Sequence, residues 1–74
     1  MRVYLQGHGR SFSIDVPATS KINIIRAVVK KHLGVRCDIA LVYQGRRLRD
    51  GPELQHYDVQ DGTTLLVELR YQSP

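Results

Sequence analysis

The histidines and the cysteine of this 74-residue chain, His8, His32, His56 and Cys37, are the side chains that most often pair as zinc ligands or as nucleophile and base. Such chemistry needs several of them converging on one point. Zinc sites, for instance, use closely spaced ligand pairs on turns or one helix face. Here His8 stands in a Gly-His-Gly turn, His32 in a helical stretch and His56 in a loop, with no metal-ligand spacing. Cys37 follows His32 closely, but a Cys-His pair without a pocket is a weak basis for nucleophilic catalysis. No catalytic residue, metal site or cofactor is expected. A single cysteine excludes an internal disulfide, and Cys37 reads as an ordinary loop thiol in a reducing compartment.

Charge is the second chemical signal. Eleven Lys and Arg stand against seven Asp and Glu, a net charge of +4. Arg46, Arg47 and Arg49 cluster, and Lys30, Lys31 and Arg36 can extend a basic surface. That excess favours acidic partners, nucleic acid among them. Nucleic-acid binders of single strands also need aromatic platforms, and one Phe with four scattered Tyr makes none. A basic rim for an acidic protein is the simpler reading.

The elements that position these groups follow from periodicity. Val3 and Leu5 alternate with Arg2, Tyr4 and Gln6, and Phe12, Ile14 and Val16 alternate in the next run. Two period-2 runs around Gly7-His8-Gly9 predict a β-hairpin. Pro17 breaks the second strand, and Thr19 or Ser20 is placed to cap a helix. Ile22, Ile25, Val29 and Leu33 form one helical stripe, so the helix is read as Lys21 to Leu33, ending at Gly34. Ile39 to Tyr43 is a strand, Gln44-Gly45 a turn and Arg46 to Leu48 a short strand. Asp50-Gly51-Pro52 is a loop, Glu53 to Tyr57 a helical turn and Thr63 to Arg70 a final strand, expected to lie centrally.

Hydrophobic content of 42% with 24% charged residues suits one small globular domain and argues against disorder. No apolar run approaches the ~18 residues of a membrane span, so no membrane association is expected. The alternating N-terminus is not a signal peptide. Strands around one helix predict an α+β fold, a mixed sheet of four to five strands packed on that helix. Residues 1–70 are read as the domain and 71–74 as a tail or the start of a linker.

The run from Val42 to Val59 (strand, Gln44-Gly45 turn, Leu48, Asp50-Gly51, then Leu54-Gln55-His56-Tyr57-Asp58-Val59) resembles the second half of ubiquitin. The resemblance to the ubiquitin family extends over essentially the whole chain. It implies the β-grasp fold and a core of Val3, Leu5, Phe12, Ile14, Val16, Ile22, Ile25, Val29, Leu41, Leu48, Leu54, Val59, Leu65 and Val67. It also implies that Tyr57 braces the preceding loop through its hydroxyl and that Arg26 pairs with Asp50 inside the fold.

The same resemblance implies a protein-binding face. Val42 matches the centre of the family's apolar patch, and Leu66 makes that patch more apolar. Glu68 introduces a charge into it, which penalises an acidic group at that point and rewards a basic one. Arg46 and Arg70 match basic rim positions, Gly45 keeps the adjacent turn open, and His8 is the nearest substitute for a leucine of the first turn. Conjugating members end in Gly-Gly, whereas Tyr71-Gln72-Ser73-Pro74 stands here. The expectation is therefore a non-covalent interaction module, the N-terminal domain of a larger protein. A modifier or precursor needing processing, and a basic nucleic-acid-binding or Ras-binding-type domain, are the alternatives. Expected partners are ubiquitin-binding domains, proteasome receptors, ubiquitin ligases or deubiquitinases, met by a monomer in the cytoplasm or nucleus. Ile24 and Val28 form a second apolar ridge, roughly opposite the core stripe of the helix, where the family is polar.

Overall fold

The computed structural model describes residues 1–70. The expectations on Tyr71, Gln72, Ser73 and Pro74 lie outside the described residues. Strands β1 (Arg2–Gly7) and β2 (Arg10–Asp15) pair antiparallel, Val3 opposite Ile14 and Leu5 opposite Phe12. His8 and Gly9 take left-handed backbone, with φ of 52° and 69°, as a tight hairpin turn requires. Gly7 is needed for a different reason. A Cβ there would collide with the Val67 carbonyl, because the end of β1 runs tightly against the last strand.

Helix α1 (Ile22–Leu33) buries Ile22, Ile25, Val29 and Leu33, the predicted stripe. Its C-terminus closes as expected: Gly34 is left-handed and donates its N–H to the Lys30 and Lys31 carbonyls. The N-terminus differs. Lys21 is the cap residue, and no side chain accepts a helix N–H there. Instead the Asp50–Glu53 loop folds over the end of the helix. The Ile22 N–H reaches the Pro52 carbonyl at 3.1 Å and the Asn23 N–H reaches the Asp50 carbonyl at 3.3 Å. A distant loop thus satisfies donors that a local hydroxyl was expected to serve.

Strands β3 (Asp38–Tyr43) and β4 (Arg46–Arg47) flank the Gln44-Gly45 turn, and a 3-10 turn spans Leu54–Tyr57 before β5 (Thr64–Arg70). The sheet order is β2-β1-β5-β3-β4, with β5 central as predicted, parallel to β1 and antiparallel to β3. One helix on one face of a mixed five-stranded sheet is the α+β architecture expected. The core between them holds Val3, Leu5, Ile25, Leu41, Leu54 and Leu65 among others. Phe12, Ile14 and Val16 are only partly buried, because β2 is an edge strand with solvent along one side. Ile39 is fully buried but was not among the expected core positions.

Two expected contacts form. The Tyr57 hydroxyl accepts the Arg49 N–H at 2.8 Å. Arg26 donates to Asp50 at 2.7 Å, but not in the interior. The two side chains are 28% and 48% exposed, and Asp38 lies 3.5 Å from the same guanidinium. The pair sits at the helix–sheet seam, where water screens it.

Candidate protein-binding face

Strand parity sorts the outer face of the sheet. Leu65 and Val67 point to the helix, so Leu66, Glu68 and Arg70 point away from it and are exposed. Val42 pairs with Leu66 across the β3–β5 ladder, and Ala40 pairs with Glu68. Ala40 and Val42 are buried but stand outside the core cluster, which places them on this second face. Gln6 pairs with Leu66 from the other side, and Tyr4 with Thr64. Arg47 is the β4 partner of Val42.

Four of the predicted residues therefore converge: Val42, Leu66, Glu68 and Arg70. Arg46 does not join them: it pairs with Tyr43, which packs on the core, and lines a cleft with Leu48, His56 and Tyr57 on the other side of the sheet edge. Gly45 completes the β3–β4 turn. Gln44 and Gly45 have φ of 53° and 77°, and nothing lies within 4 Å of a Cβ built on Gly45. His8 is exposed in the hairpin turn that continues β1 beyond the Gln6–Leu66 step.

Val42 is not the open centre that was expected. It is 8% exposed, whereas Leu66 is 51% exposed. The reason is an ion pair. Arg47 on β4 and Glu68 on β5 meet at 2.9 Å, although their strands are separated by β3 and so lie about 10 Å apart. The joined side chains pass over the Ala40 and Val42 positions. Glu68 is thus not a free charge placed in the patch but one end of a strap across it.

Tyr4 joins Leu66 among the exposed large hydrophobics of this face, and sequence reasoning did not single it out as a site residue. The signal was available: Tyr4 alternates with the core residues Val3 and Leu5, so it had to occupy the opposite side. Arg47 was counted only as extra charge, and its reach across a strand has no signature in the sequence.

The second ridge lies elsewhere. Ile24 and Val28 are 56% and 43% exposed on α1, away from the sheet and hence on the opposite side of the molecule from Leu66. Among the described residues no group of three or more His, Cys, Asp or Glu is placed to hold a metal ion. His32 stacks on Phe12 with ring centroids 4.2 Å apart, while His56 stands edge-on to Tyr57 in a separate cleft between the β3–β4 turn and the 3-10 turn. Among the described residues no helix is long and apolar enough to cross a membrane.

The family model described as "Ubiquitin family" matches residues 3–72. The crystal structure of the UBL domain of Plasmodium falciparum Dsk2 is similar to this chain, with a TM-score of 0.86 over 95% of this chain and 97% of that one. At 18% identity that likeness speaks for the fold alone. Family match, β-grasp topology and the braced Tyr57 loop agree: the chain belongs to the ubiquitin family.

Proposed function

We propose that this domain is a non-covalent protein-interaction module of the ubiquitin system, engaging partners with the outer face of its sheet. One observation carries the reading. Leu66 stands half-exposed in the middle of the sheet face, beside the apolar Ala40 and Val42 floor, with Arg47 and Arg70 on the same face. An apolar anchor with a polar, charged rim is the arrangement that gives binding hot spots. Ubiquitin-binding domains, proteasome receptors, ligases and deubiquitinases of the cytoplasm or nucleus are the partner classes that family membership makes natural. The basic residues fit a rim better than a nucleic-acid track. Arg47 is tied to Glu68, and Arg26 to Asp50.

The test is a titration of the isotopically labelled domain with a panel of single ubiquitin-binding domains and a proteasome receptor domain, followed through backbone amide shifts. Shifts centred on Gln6, Gly45, Leu66 and Arg70 support the reading. No response to any panel member, with a response to RNA or DNA instead, overturns it.

A further inference from the structure

The strap over Val42 selects what this face can accept. Its two ends, Arg47 and Glu68, are 60% and 51% exposed at the side chain, so a partner reaches both without breaking the 2.9 Å contact. Each charge is already answered within the domain. A partner presenting one charge alone therefore meets attraction from one end of the strap and repulsion from the other. A partner presenting two charges in the opposite order closes a ring of four alternating charges and gains at both ends.

The surroundings set the balance of that partner. Glu68 is the single acidic residue of β5, and β1 and β4 carry none. Asp38, at the start of β3, is turned to Arg26 at 3.5 Å. Arg70 follows Glu68 by two residues on the same face of β5, so one carboxylate sits with two arginines, Arg47 and Arg70.

We infer that the Arg47–Glu68 pair is a charge-order filter, and that the partner it fits presents an apolar side chain to Leu66, carboxylates to Arg47 and Arg70, and one basic side chain to Glu68. The inference rests on the reading of the sheet face given above. It adds that a basic residue alone gains little at Glu68, because Arg47 already occupies that charge. The gain appears only when a partner carboxylate meets Arg47 at the same time.

The two arginine–glutamate orders are distinguishable by experiment. The double substitution R47E/E68R keeps an ion pair in the strap and reverses its direction. The probes are the same single ubiquitin-binding domains and proteasome receptor domain, with affinity read by calorimetry on the folded domain. Thermal unfolding of the variant serves as the folding control. For each probe that the unsubstituted domain binds, the filter predicts a loss of about tenfold or more, since modest exposed attractions become repulsions at two points. Binding within twofold of the unsubstituted domain, with loss on L66D, overturns the filter and leaves the sheet-face reading intact. Binding that survives both R47E/E68R and L66D overturns both. If the reversed strap does not fold, R47Q and E68Q take its place. Non-additive losses in their double-mutant cycle support the filter, and strict additivity overturns it.

Discussion

Val42 and Leu66 face each other across the β3–β5 ladder, yet only Leu66 is open to a partner. The asymmetry comes from the Arg47–Glu68 strap, which runs over the Val42 end of the pair. It divides roles that a sequence comparison assigns jointly. Leu66 is available as an anchor, and Val42 supports the surface beneath it.

The two substitutions should therefore separate. Leu66→Asp changes stability by no more than about 0.5 kcal/mol, as is usual for exposed positions. It weakens partner binding by about 2 kcal/mol or more, the cost of losing a hot-spot residue. Val42→Ala costs about 1–2 kcal/mol of stability, because it removes buried methyl groups. Its effect on affinity is smaller. Urea unfolding and calorimetric titration of both variants check the division.

The Arg26–Asp50 contact makes a second test. A fully buried pair broken at one end costs ~3–5 kcal/mol. This one is partly exposed, at 28% and 48%, and Arg26 keeps Asp38 nearby. Arg26→Ala should cost about 1 kcal/mol, and the effect should shrink in high salt. Denaturant midpoints at low and high ionic strength measure it.

Tyr57→Phe removes the oxygen that accepts the Arg49 N–H at 2.8 Å and changes little else. The expected loss is about 1 kcal/mol. Hydrogen exchange should speed up most at the Arg49 amide, since that is the donor left without its partner. A uniform change in exchange across the sheet would show that the bond is not what holds this loop.

The two glycines of the first hairpin should differ in kind. Gly7→Ala places a Cβ against the Val67 carbonyl and should cost about 1–3 kcal/mol through overpacking. Gly9→Ala meets open space and bears only its left-handed φ of 69°, about 1–2 kcal/mol. Thermal unfolding of the pair, with the β1–β5 amide shifts followed by NMR, tells collision from strain. Only the Gly7 substitution should move the Val67 and Glu68 resonances.

Much of this was readable in advance, for local reasons. The helix stripe from Ile22 to Leu33 and the alternation in β1 follow from periodicity, and Gly34 marks its own turn. Ile39 escaped because Asp38-Ile39-Ala40-Leu41-Val42 is nearly continuous in apolar residues, with both faces buried, so no alternation shows which side is core. The helix cap escaped because its acceptors, the Asp50 and Pro52 carbonyls, are backbone groups supplied from far along the chain. The same limit applies to the binding face. Parity places Leu66, Glu68 and Arg70 together, but only coordinates show Arg47 crossing a strand to cover Val42.

The central claim is that this domain offers partners a ubiquitin-like sheet face. Competition tests it most directly. The labelled domain is bound to a single ubiquitin-binding domain, and unlabelled ubiquitin is added while fluorescence anisotropy is followed. The account predicts complete displacement by ubiquitin, and no initial binding by the Leu66→Asp variant. A domain that stays bound at saturating ubiquitin, or whose Leu66→Asp variant binds as tightly as before, would contradict it.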